Sequence, residues 1–364
     1  MRVSEDVLGR RPSGDARSKR ARSSEKRAPQ AALKSSSAKT PQTAKTPKRT
    51  KTKAKDAAPG SLPILYMLSP QKFMSPFDCN MAVDSGYKVV LPYDNVGLGD
   101  VGALVQDAIF SRPPKAMTGL FIGGKDITLA LDMMKAARRA MVPPFEVSVF
   151  ADPGGSFTTA AAMVACVERV LRRSYGRGWQ GLRVSVFGAM GVVGFSSAVI
   201  AANEGAEVRI VAHDAIEPLE ASAGFAAERF NVALHPVAGQ TDALKSKLLK
   251  TSDVIFTAGP AGVNIISRMQ LAKAPGLLVA ADVNAVKPYG IEGLDLFMDG
   301  VPLPGCSTLG VGALAIGDIK YKTQAGLFRR MLTASQPLDL DFRDAFELAR
   351  QIVSDAGRDT KAKI

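Results

Sequence analysis

The residues with the clearest chemistry form a turn: Leu182-Arg-Val-Ser-Val-Phe-Gly188-Ala189-Met190-Gly191-Val192-Val193-Gly194 breaks from an apolar run into glycines, then into a small-residue helix pattern. That order suits a dinucleotide. A strand must reverse sharply, let a pyrophosphate approach bare backbone, and hand the chain to a helix whose free N–H groups face the anion. In register, Ala189-Met190-Gly191-Val192-Val193-Gly194 is G-x-G-x-x-G with alanine in the first position, and Gly188 just before it can take over part of the turn. About 20 residues past the last glycine, a strand at Glu207–Val211 ends in Ala212-His213-Asp214, where such units carry their ribose-reading residue. A carboxylate at Asp214 accepts hydrogen bonds from a free ribose hydroxyl and repels a phosphate, while a protonated His213 tolerates one. NAD is therefore the expected cofactor, with NADP accepted less well. The competing reading makes the glycines plain helix–strand packing and Asp214 a helix cap.

Two further strand ends are rich in ligand-binding residue types. Thr118–Ile122 runs into Gly123-Gly124-Lys125-Asp126, and Phe145–Phe150 closes on Asp152-Pro-Gly-Gly-Ser156-Phe-Thr158-Thr159. Either can present backbone to a ligand or be an ordinary turn into a helix. Upstream, Ser75 is placed to cap a helix over 77–85 whose first turn holds Asp78, a carboxylate suited to the helix dipole.

These turns need elements to hold them, and the pattern supplies strands alternating with helices, which means parallel sheets. Strands are expected at Pro63–Leu68, Lys88–Leu91, Thr118–Ile122, Phe145–Phe150, Leu182–Phe187, Glu207–Val211, Val254–Gly259 and Leu277–Asp282. Helices are expected over 100–109, 126–140, from Ser156 through about Arg173, 216–229 and 339–354, with a Gly- and Pro-rich loop at 284–312. The fold class is α/β with two domains. One is a Rossmann-like parallel-sheet domain over 161–326, and the other an α/β substrate domain over 61–160 completed by 327–364.

Composition bounds the function. The net charge of +13 suggests nucleic acid until it is located: residues 1–60 hold 17 Lys and Arg against 5 Asp and Glu, leaving 30 against 29 elsewhere. That Ala-, Lys-, Ser- and Pro-rich tail lacks the apolar surface to offset ordering and is expected to be disordered. No apolar stretch approaches the ~20 residues of a membrane span, nor does the N-terminus carry a secretory core, so a cytoplasmic location is expected. Cys79, Cys166 and Cys306 show no C-x-x-C spacing, which argues against disulfides and zinc and for reduced, buried thiols. His213 and His235 sit in no catalytic pattern, and no metal is expected.

Five separated motifs flank the glycine turn in order: Ser75-Pro-Phe-Asp78; Phe121-Ile-Gly-Gly-Lys-Asp126; Asp152-Pro-Gly-Gly-Ser-Phe-Thr-Thr159; Ala281-Asp-Val-Asn-Ala-Val286; and Gly312-Ala-Leu-Ala-Ile-Gly-Asp-Ile-Lys-Tyr-Lys322. Together they resemble the NAD(P)-dependent methylenetetrahydromethanopterin dehydrogenases of methylotrophic bacteria, over about residues 62–353. The resemblance implies hydride transfer from methylene-tetrahydromethanopterin to NAD(P)+ in formaldehyde oxidation, and a homo-oligomer. It places the pterin on Ser75, Phe77, Asp78, Gly123, Gly124, Lys125, Ser156, Thr158 and Thr159. The nucleotide falls to the 188–194 turn with His213, Asp214, Ala258, Gly259 and Asn284. Removing hydride from a carbon between two nitrogens leaves a resonance-stabilised cation, so positioning carries the reaction without base, metal or nucleophile. Asp126 and Asp282 are candidates for an electronegative pocket, Lys320 or Lys125 for a grip on the pterin's anionic tail, and Lys322 for a solvated helix face. Two alternatives remain: a methylenetetrahydrofolate dehydrogenase, and a non-catalytic nucleotide- or nucleic-acid-binding protein led by the basic tail.

Overall fold

The computed structural model describes residues 60–361, with side chains as far as 355; the expected disorder of the tail up to residue 59 lies outside the described residues. The chain first builds β1 (Ile64–Leu68), α1 (Pro76–Asp84), β2 (Val89–Tyr93), α2 (Val101–Phe110), β3 (Thr118–Ile122), α3 (Ile127–Ala140) and β4 (Ser148–Ala151). After a single 3-10 turn at Pro153–Gly155, α4 (Ser156–Tyr175) leads to β5 (Arg183–Phe187), α5 (Val192–Asn203), β6 (Glu207–Ala212), α6 (Glu217–Phe230), β7 (Leu234–Ala238), α7 (Asp242–Lys250) and β8 (Val254–Thr257). Then come α8 (Arg268–Ala272), β9 (Val279–Asp282), β10 (Asp299–Pro302), β11 (Leu309–Val311), α9 (Ala313–Thr333), β12 (Asp339–Leu340) and α10 (Phe342–Lys361).

The strands form two sheets. The first, in the order β2-β1-β3-β4-β12, is parallel throughout. The second, β7-β6-β5-β8-β9-β11-β10, is parallel except where β10 pairs antiparallel with β11. In both sheets the strand order reverses beside the first strand, at β1/β3 and at β5/β8, which is where doubly wound folds open a crevice at the carboxyl ends of their strands. The second sheet is thus a Rossmann-like unit whose first strand ends in the glycine turn.

Burial follows from this layering. β3, β4, β8 and β9 are buried at every residue, as expected of parallel strands covered on both faces. α4 packs on α5, α9 and α10, and its Ala160, Ala161, Ala162 and Ala165 are fully buried, small enough to let those helices approach. Its one deeply buried charge, Glu168, is paired: Arg350 donates to it through Nε at 2.7 Å and Arg172 through Nη2 at 2.8 Å. Arg350 also bonds Glu204 at the end of α5, so one guanidinium ties three helices.

Some boundaries differ from the sequence reading. The strand expected from Phe145 begins at Ser148, because Phe145 closes a small bridge with Val142 instead. The loop expected over 284–312 contains β10 and β11, short segments broken by Gly300, Pro302 and Gly310 that the pattern hides. The final helix begins at Phe342, after Asp339–Leu340 pairs with β4. No expected element covers β7, α7 or α8. Of the three free thiols, only Cys166 is buried; Cys79 and Cys306 are half-buried.

Candidate functional site

At the crevice of the first sheet, the loop after β1 is pinned by the Asp94 carboxylate, which accepts from the Met74 N–H at 2.7 Å. Ser75 then caps α1, its hydroxyl accepting from the Asp78 N–H. The cap turns Asp78 inward, where it is buried while Phe77 stays half exposed. Gln324 of α9 donates to the Asp78 carboxylate at 2.7 Å and accepts from the Lys320 ammonium at 2.6 Å. Lys320 lies over the Phe77 ring at 3.8 Å from its centroid, within cation–π range.

Under this chain lies Asp152, fully buried. One of its oxygens accepts from the Phe157 and Thr158 N–H groups at 2.9 and 3.2 Å, the other from the Thr158 hydroxyl at 2.7 Å, so it caps α4 from below. Gly155, at φ 66°, leaves room above: a Cβ there would stand 3.1 Å from the Lys320 Nζ. Burial, then the neighbouring Asp78 charge, push Asp152 up to about 6 against the pull of Lys320 and Thr158. Burial likewise raises Asp78 and lowers Lys320, the latter opposed by both carboxylates. One ammonium thus serves two carboxylates, and a site next to it carries excess negative charge whenever both are ionised. Ser75, Phe77, Asp78, Thr158 and Lys320 are brought together here. Asp152 and Gln324, which complete the cluster, were not singled out; the i, i+4 spacing of Lys320 and Gln324 on one helix is the signal that links them. Beside the cluster a cavity of about 330 Å³ is lined by Ser69, Phe73, Ser75, Asp78, Gly123 and Gly154, among others.

In the glycine turn, packing requires glycine at two positions. Gly188 follows β5 at φ 84°, and a Cβ there would come 2.4 Å from the Ala258 carbonyl oxygen; a Cβ on Gly194 would meet the Gly188 carbonyl at the same distance. The tight position is therefore Gly188, while Ala189, read as the first motif position, is simply buried behind it. Gly191 caps α5 without a side-chain bond, so the first amides of α5 are left for a ligand's oxygens, which is what a pyrophosphate requires. A cavity of about 460 Å³ joins Ala189, Met190, Gly191 and Val192 to Lys125 and Asp126 of the first sheet.

Other candidates lie apart from both cavities or serve the backbone. Asp126 caps α3, accepting from the Leu129 N–H at 2.8 Å. Asp282, buried at the end of β9, accepts from the N–H groups of Asn284 at 3.0 Å and Gly290 at 2.7 Å. Asn284 in turn accepts from the Val286 N–H and donates to the Pro288 carbonyl. Ala258 and Gly259 follow β8 beside Gly188. His213 and Asp214 are exposed beyond β6, with the Asp214 carbonyl accepting from Gln240. Ser156 begins α4, and the Thr159 hydroxyl donates to the Gly155 carbonyl at 2.6 Å. Lys322 is exposed and paired with Asp318 at 2.6 Å. Among the described residues no three of His, Cys, Asp and Glu converge as metal ligands, and no helix is long and apolar enough to cross a membrane.

Comparison with known proteins adds the following. Residues 76–154 match the family model described as methylene-tetrahydromethanopterin dehydrogenase, N-terminal. Over 291 residues, 79% of this chain and 98% of the relative, it is 50% identical to the NAD(P)-dependent methylenetetrahydromethanopterin dehydrogenase of Methylorubrum extorquens. The bifunctional protein MdtA of that organism is 30% identical over the same shares. Among solved structures, quinate dehydrogenase from Corynebacterium glutamicum in complex with NAD is similar with a TM-score of 0.46 at 15% identity, covering 79% of this chain and 98% of that one.

Proposed function

The chain belongs to the NAD(P)-dependent methylenetetrahydromethanopterin dehydrogenase family, and from that premise we propose how its two sheets share the family's reaction. Hydride passes from the methylene carbon of methylene-tetrahydromethanopterin to NAD(P)+, leaving the methenyl cation, as a step of one-carbon metabolism in formaldehyde oxidation. The nicotinamide supplies the hydride acceptor when bound. The chain's part is to bind, orient and stabilise charge, since a carbon between two nitrogens needs no protein base to release hydride.

The nucleotide half is residues 161–326. Its glycine turn leaves amides for the pyrophosphate, with Ala258, Gly259 and Asn284 toward the nicotinamide end and His213-Asp214 at the ribose. The exposed Asp214 carboxylate favours NAD over NADP. The pterin half is residues 61–160 completed by 327–364. Ser75, Phe77, Gly123, Gly124, Ser156, Thr158 and Thr159 shape its pocket, and Lys320 holds the substrate. Asp78 and Asp152 supply the negative field in which a methenyl cation develops at least cost. This assignment moves the electronegative part from Asp126 and Asp282, whose carboxylates already serve backbone N–H groups. A cytoplasmic homo-oligomer fits the family resemblance.

The observation that carries the reading is a pair of cavities, one in the first sheet's β1/β3 crevice and one over the glycine turn and the neighbouring faces of α5 and α6, both reaching the Gly123–Asp126 turn. The test is nicotinamide reduction followed by absorbance, with the methylene forms of tetrahydromethanopterin and tetrahydrofolate in parallel. Turnover with the methanopterin, faster than with the folate, is expected; turnover confined to the folate would replace the substrate, and none with either would remove the enzyme reading.

A further inference from the structure

Among the described residues, Lys125 is the one that lines both cavities. It follows Gly124, which sits at φ 115°, and its side chain is exposed with no hydrogen-bond or ion-pair partner among the described residues. Its neighbour Asp126 already caps α3. On the facing wall of the larger cavity stand Met190, Gly191 and Val192 at the open start of α5, and no other Lys, Arg or His lines that space. A pyrophosphate at this turn brings two negative charges, against which the second sheet sets backbone amides but no cationic side chain. Lys125 is the one cation of that cavity.

We infer that Lys125 is the ion partner of the cofactor's pyrophosphate, reaching across from the first sheet to a nucleotide seated on the second. The inference rests on reading the glycine turn as the NAD(P) site. It reassigns Lys125 from the pterin's anionic tail, which leaves Lys320 as that tail's cation, and it makes nucleotide binding bridge the two halves. A flexible ammonium suits this role, since it offers rotatable donors and no fixed fork geometry.

Binding of NAD+, NADP+ and ADP-ribose, measured by calorimetry without pterin on the full chain and on Lys125→Met and Lys125→Arg, tests this. Lys125→Met should weaken all three by about tenfold, the scale of one charge-assisted contact, and flatten their salt dependence, while Lys125→Arg restores most of the loss. The KM for the pterin at saturating nucleotide should not change. Unaltered nucleotide affinity, weakening of NADP+ alone, or a rise confined to the pterin KM would each overturn the assignment. If the unmutated chain binds none of the three, the reading of the turn itself is lost.

Discussion

Three charges share the space beside Phe77: the Lys320 ammonium and the Asp78 and Asp152 carboxylates, with the Gln324 amide relaying between Lys320 and Asp78. Asp152 gives this cluster a pH signature. Its native value of about 6 lies above the ordinary 3.8, so the folded chain keeps a proton that the unfolded chain has already released. By linkage, stability falls as pH rises between those values: the penalty is absent below the lower and complete above the upper. Asp152→Asn carries no such proton, so its stability relative to the unmutated chain should improve by about 1–3 kcal/mol between pH 4 and 7, measured by urea unfolding at constant ionic strength. A difference that stays flat with pH would show that Asp152 is already ionised at low pH. At the nucleotide end, Asp214→Ala should raise the ratio of kcat/KM for NADP to that for NAD by ~1 kcal/mol, one charge contact in an exposed site. An unchanged ratio would place cofactor choice elsewhere. Both aspartates are visible in the sequence, but only Asp214 can be proposed for a role from a spacing along the chain. Asp152 depends on what α1 and α9 set above it, 74 residues before and 168 after, which no local pattern records.

Central strands and the longer helices were legible in advance. β3 was placed to the residue because Thr118–Ile122 is an apolar run between turn residues and is buried throughout. β7, β10 and β12 escaped because edge strands carry weak patterns: Pro236 interrupts β7, Gly300 and Pro302 break β10, and β12 is two residues long. The span of α4 was legible from Ser156 to about Arg173, but its buried Glu168 needs Arg350, which arrives from α10, beside the local Arg172. That triad sets a prediction at this scale. Arg350→Ala leaves the buried Glu168 carboxylate to the exposed Arg172 alone, and should cost about 2–4 kcal/mol in chemical unfolding, as loss of one side of a buried pair does. A cost under about 0.5 kcal/mol, typical of surface ion pairs, would show that the helices hold without it.

At the scale of the whole molecule, the first sheet's crevice and a cavity over the second sheet's glycine turn meet at the turn after β3, and α4 and α9 are the long helices that link the sheets. Nearly all the net positive charge lies in the first 60 residues, so on the proposed reading attraction of an anionic nucleotide or pterin falls to individual residues such as Lys125 and Lys320. On the proposed reading these halves do no proton chemistry: they align a methylene carbon with a nicotinamide and let hydride move directly. The measurement that tests it is a single turnover with methylene-tetrahydromethanopterin deuterated at the methylene carbon, followed by mass analysis of the reduced nicotinamide and of the solvent. The expected result is one deuteron on the nicotinamide ring and none in water; deuterium released to water, or a nicotinamide reduced without label, would contradict the account.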